Sequence, residues 1–92
     1  MQIKLIPLQA HGDDRGSLIA LEQDKNILFP ITRVYYIFDT QEGVTRGFHA
    51  HKELKQVAIA VKGSCRFLLD DGKEKVSFLL GNAAQGLLIE SC

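Results

Sequence analysis

The sequence predicts an all-β fold, a sandwich or barrel, and three observations predict it. Short runs rich in β-branched and aromatic residues alternate with turn signals along the 92 residues. The densest run, "ITRVYYIFDT" at 31–40, is made of the residue types that fill strands. An Asp-Gly pair at 71 and 72 separates two such runs, as a tight hairpin requires.

Taken in order, "IKLIPLQ" reads as a first strand, with Pro7 marking an edge or a bend. "HGDDRG" is a turn cluster, "SLIALEQ" a second strand, and "DKNILFP" a loop closed by Pro30. "ITRVYYIFDT" follows as the strongest strand signal, then the turn "QEGVTRG" and a short strand, "FHAH". "LKQVAIAVKG" fits a helix by periodicity, but its β-branched run and bounding Gly63 favour a strand. "SCRFLLDDGK" and "EKVSFLLG" make the hairpin, and "GLLIESC" opens one more strand. Gly47, Gly63, Gly72 and Gly81 are read as turn glycines.

A chain this short holds one domain, residues 1–92, with a small core that association would help to stabilise. Lys+Arg equals Asp+Glu, so the basic footprint of a nucleic-acid surface is missing. No basic amphipathic run suggests a membrane surface, and no apolar run is long enough to span a bilayer. The opening "MQIKLIPLQA" is too short and interrupted for a signal peptide. Cys65 and Cys92 form no metal-ligand spacing and no disulfide framework, so a cytoplasmic location is expected.

The chemistry concentrates in "RGFHAHKELKQ", residues 46–56. In a strand, residues two apart share a face, so His49 and His51 point one way and Phe48 and Ala50 the other. Three readings are open. Bare His-x-His also decorates exposed strand edges. As a metal site the pair is short of ligands: the glycine, His-x-His, carboxylate, glycine order of a metal cupin motif is matched by Gly47, His49, His51 and Gly63, but Gln56 stands where the carboxylate belongs. A neutral amide is a poor ligand for a divalent cation. His11, the only other histidine, lies near the start, so no metal and no cofactor are expected. As an acid/base pair the histidines titrate near neutrality, and Arg46 beside them favours a neutral, proton-accepting imidazole. The same guanidinium can bind a phosphate or an oxyanion.

Longer stretches carry a resemblance. "DDRGSLIALE", "NILFPITRVYYIFDT", "RGFHAHKELKQVAIAVKGSCRFLLDDG" and "GLLIE" together resemble the dTDP-4-oxo-6-deoxyglucose 3,4-ketoisomerases, the WxcM-like cupins of sugar-nucleotide metabolism. The resemblance runs through nearly the whole chain. It implies a cupin-type jelly roll, a homodimer, and transfer of the sugar's ketone from C4 to C3 without a metal. It places the catalytic pair on His49 and His51 and the neighbouring arginine on Arg46. It puts Arg33 and Tyr35 on the strand lining the nucleotide-sugar pocket, makes Arg15 a nucleotide contact and fits Gln56 to a metal-free pocket.

Members of that family continue after "GLLIE", so the domain is expected to be truncated relative to them. About seven strands are read here, where a jelly roll closes with eight. An open edge favours strand exchange in a dimer, with the strand from Ile3 to Leu8 as the exchanged element. The leading reading is therefore an isomerase acting on a dTDP-linked 4-keto-6-deoxy sugar. Its rival is a catalytically incomplete cupin that binds a sugar nucleotide or serves in assembly.

The remaining residues have plainer readings. Tyr35 and Tyr36 face opposite ways, and the face with Arg33 and Tyr35 is the more polar. Arg33 also fits a solvated strand position. Cys65 alternates with Phe67 and Leu69 and is expected to be a buried structural thiol. Asp70 and Asp71 serve the turn, and His11 is a surface residue.

Overall fold

The computed structural model describes residues 2–43, 55–70 and 72–90. All its regular elements are strands: β1 (Gln2–Pro7), β2 (His11–Asp13), β3 (Gly16–Leu18), β4 (Lys55–Ala58), β5 (Cys65–Asp70), β6 (Lys75–Leu80) and β7 (Gln85–Glu90). The all-β expectation holds.

The strands form an antiparallel sheet in the order β1-β7-β4 and two hairpins, β2-β3 and β5-β6. The register fixes the faces of the sheet. Ile3 and Gln56 both pair with Ile89, and Leu5 and Ala58 both pair with Leu87. These residues therefore share one face. Ile3 and Leu5 front a cleft of about 360 Å³ completed by Glu74, Val76 and Phe78 from the β5–β6 side. The opposite face carries Ile6, Gly86 and Val57, packed so tightly that a Cβ on Gly86 would lie 2.8 Å from Val57 Cγ1 and 3.1 Å from Ile6 Cγ1. Glycine lets three strands pass there with branched residues on both flanks.

Leu8, Ile27, Leu80 and Leu87 are the buried large apolar side chains among the described residues. Leu8 is tied down by its N–H donating to the Ala84 carbonyl at 2.8 Å, which continues the β1–β7 pairing past Pro7.

Several elements differ from the sequence reading. The second strand stops at Leu18 rather than running to Gln23. Residues 22–27 instead form a turn in which the Glu22 carbonyl accepts from the Lys25, Asn26 and Ile27 N–H groups. Asn26 clamps it, accepting from the Glu22 N–H at 2.8 Å and donating to the Ala20 carbonyl at 2.7 Å. Local side-chain bonds of this kind compete with a strand ladder. β4 is also shorter than "LKQVAIAVKG" suggests, ending at Ala58.

The largest difference is "ITRVYYIFDT", which joins no sheet. Val34, Tyr36 and Phe38 are 80%, 82% and 70% exposed, far too open for a packed strand. Strand propensity reports fit against neighbouring strands, and among the described residues none offers 31–40 an edge. Cys65, which opens β5, is exposed and not the buried thiol expected. The short strand "FHAH" lies outside the described residues. No helix among the described residues is long and apolar enough to cross a membrane.

Candidate functional site

Four of the seven predicted site residues, Arg15, Arg33, Tyr35 and Gln56, fall within the described residues. His49, His51 and Arg46 lie outside them.

Gln56 sits in β4, half-buried, on the sheet face it shares with Ile3 and Leu5. That is the face fronting the cleft with Val76 and Phe78. At about 360 Å³ the cleft is at the small end of ligand pockets. An amide on this face offers two donors and an acceptor to a polar ligand without adding charge.

Arg33 and Tyr35 are brought together. The guanidinium carbon of Arg33 lies 4.8 Å from the centre of the Tyr35 ring. On the other side of the same segment the rings of Tyr36 and Phe38 stand 5.8 Å apart and tilted by 40°. Contacts at i, i+2 on both sides preserve the alternation read from the sequence, although the segment is not paired in a sheet. A cation stacked on an aromatic face gives a flat, positively charged platform, suited to an anionic ligand with a planar ring.

Arg15 stands at the tip of the β2–β3 hairpin, its side chain 90% exposed. The hairpin is tight: a Cβ on Gly12 would fall 2.6 Å from the Gly16 carbonyl oxygen. Arg15 is held by Asp13, to which its Nη2 donates at 2.6 Å and its Nε at 3.1 Å. The Arg15 main-chain N–H also donates to Asp13 Oδ1 at 2.9 Å. These side-chain and then backbone bonds from Arg15 hold the Asp13 carboxyl below its usual range. Sequence reading took "DD" as turn residues and missed this pair. The available signal was an Asp-x-Arg spacing in a glycine-bounded turn, where an Asp side chain reaches the N–H two residues on.

The family described as FdtA: WxcM-like, C-terminal matches residues 1–92. The chain belongs to this family. Among the relatives of this WxcM-like chain is the TDP-4-oxo-6-deoxy-alpha-D-glucose-3,4-oxoisomerase of Aneurinibacillus thermoaerophilus, 51% identical over 89 residues. The match covers 97% of this chain and 64% of that protein, so the chain spans less than two thirds of its relative's length. Among solved structures, a 3,4-ketoisomerase from Helicobacter canadensis superposes with a TM-score of 0.91 at 48% identity, covering 99% of this chain and 68% of that one. A mutant of the 3,4-ketoisomerase QdtA from Thermoanaerobacterium thermosaccharolyticum, in complex with TDP-4-keto-6-deoxyglucose, superposes with a TM-score of 0.89 at 35% identity. That match covers 97% of this chain and 64% of the QdtA chain. The WxcM-like chain therefore has the fold of the cupin-type ketoisomerases, as its sequence resemblance implied.

Proposed function

We propose that this chain carries the catalytic part of a cytoplasmic sugar-nucleotide 3,4-ketoisomerase, which moves the keto group of a dTDP-4-oxo-6-deoxyhexose from C4 to C3. The observation that carries the reading is its 51% identity to a TDP-4-oxo-6-deoxyglucose 3,4-oxoisomerase. The His49–His51 pair and Arg46 supply residue types suited to that chemistry.

The reaction needs only proton transfers. The C4 carbonyl acidifies the proton on C3, and one histidine removes it as general base. The C3–H electron pair forms a C3=C4 double bond, and the carbonyl pair moves onto O4 as an oxyanion. Arg46 or the Tyr35 hydroxyl holds that oxyanion, as a donor placed where charge develops. Proton delivery to C4 and loss of the O3 proton complete the 3-keto sugar, and the O4 oxyanion takes up a proton. No atoms are gained or lost. A positioned histidine contributes about 10²–10⁴-fold in such a step. Arg15, Arg33, Tyr35 and Gln56 are assigned to substrate binding. A homodimer is the proposed assembly, since strand edges left unpaired among the described residues and the exposed apolar side chains of 34–38 favour a partner chain.

The test is incubation of the purified chain with TDP-4-keto-6-deoxyglucose in deuterated water, followed by NMR. Turnover moves the carbonyl to C3 and puts deuterium on C4. Unchanged substrate that is nonetheless bound selects the second reading, an incomplete cupin that holds a sugar nucleotide. Absence of both binding and turnover overturns the proposal.

A further inference from the structure

We infer that Asp13 is a positioning residue for Arg15, turning its guanidinium so that the free edge is presented to the diphosphate of a nucleotide sugar. The inference rests on the function proposed above and deepens it.

A guanidinium has five N–H donors in a rigid fork. Asp13 engages one edge only, the side carrying Nε and Nη2: Nε lies 3.3 Å from Oδ1 and 3.1 Å from Oδ2, and Nη2 lies 2.6 Å from Oδ2. The second N–H of Nη2 and those of Nη1 form the end-on edge. That edge has the spacing for a bidentate bond to a phosphate oxygen pair. Asp13 is fixed in turn, because its Oδ1 also accepts from the Arg15 main-chain N–H at 2.9 Å. The hairpin beneath them closes so tightly at Gly12 that a Cβ there would meet the Gly16 carbonyl oxygen at 2.6 Å. Asp13, Arg15 and Ser17 together border an open depression on the hairpin.

Two effects of Asp13 oppose each other. Restraining a long exposed side chain removes rotamer freedom that ligand binding would otherwise have to remove. The carboxylate's charge repels the same anion. Both groups are exposed, so salt weakens the ion pair as well as the repulsion, and an anion on the far edge of the guanidinium lies within a screening length of Asp13. The inference is that the restraint outweighs the repulsion, and the sign of the change in Asp13→Ala decides it.

The experiment measures TDP binding by calorimetry, and kcat and KM with the keto sugar, for the wild type, Asp13→Ala, Asp13→Asn, Arg15→Ala and the double variant Asp13→Ala/Arg15→Ala. Asp13→Ala is expected to raise the Kd for TDP by up to about fivefold, the range of an exposed ion pair. KM should rise in step while kcat is unchanged. Asp13→Asn should fall between it and the wild type, because the amide oxygen still accepts from the main-chain N–H. In the Arg15→Ala background, loss of Asp13 should have no further effect. An unchanged or lower Kd in Asp13→Ala overturns the inference and leaves the proposed function standing. Failure of the wild type to bind TDP overturns both.

Discussion

Arg33 stacks on Tyr35, 4.8 Å from guanidinium carbon to ring centre, on a segment that pairs with no strand among the described residues. The pair is held by its own cation–π attraction, worth about 0.5–1 kcal/mol at an exposed site. Tyr35→Phe keeps the aromatic face, so TDP should bind to it as to the wild type. Tyr35→Ala removes the face and is expected to weaken TDP binding about fivefold. Equal loss in both variants, measured by calorimetry, would show that the hydroxyl rather than the ring carries the contact.

His49→Asn and His51→Asn separate catalysis from binding. At least one should lower kcat by about 10²–10⁴-fold while changing the Kd for TDP little. Full turnover in both would remove the histidine mechanism.

Gly86→Ala should destabilise the three-stranded sheet. The added Cβ would meet Val57 Cγ1 at 2.8 Å, and both Val57 and Ile6 are β-branched, with little rotamer freedom to move aside. Overpacking of this kind costs about 1–3 kcal/mol. The urea midpoint should fall at constant slope, and an unchanged midpoint would contradict the close approach described for this position.

The Asp13 carboxyl offers a test by pH. Its pKa is depressed by the Arg15 side chain and then by the Arg15 main-chain N–H. The native state therefore binds its proton less readily than the unfolded chain does. The pair's contribution is fully present above the ordinary aspartate range and is lost as pH falls through the lower, folded-state value. NMR titration should find an Asp13 inflection below that of an unperturbed aspartate. Arg15→Ala should move it up, and an inflection that ignores Arg15 would refute the pairing.

Light scattering across a dilution series addresses assembly. A homodimer is expected at micromolar concentration, and a well-behaved monomer there would sink that expectation.

Some of this was legible in the sequence. The β5–β6 hairpin is written in alternation on both sides of Asp71-Gly72, and turn chemistry together with period-two burial fixes such an element locally. β1 and β7 were readable as apolar runs. That they pair with each other was not, since nothing local joins Gln2 to Glu90. "SLIALEQ" misled because the bonds that end the strand come from Asn26, beyond the run itself. "ITRVYYIFDT" misled in the opposite sense: its composition asks for neighbours, and composition cannot say whether an edge is within reach. At the site, alternation correctly put Arg33 and Tyr35 together. The hold of Asp13 on Arg15 was hidden because an aspartate in a turn has an ordinary explanation.

The pairing of β1 with β7 has a consequence for the order of events on the ribosome. β1 is made before the other strands described, but its partner begins only at Gln85. At about 5–20 residues per second, the 78 positions separating Pro7 from Gln85 (85 − 7) take roughly 4–16 s to synthesise. Throughout that interval Ile3, Leu5 and Ile6 have no sheet to enter, while the β5–β6 hairpin, closed by a short turn, forms in microseconds once made. The nascent protein therefore acquires its local hairpins early and the long-range β1-β7-β4 sheet late.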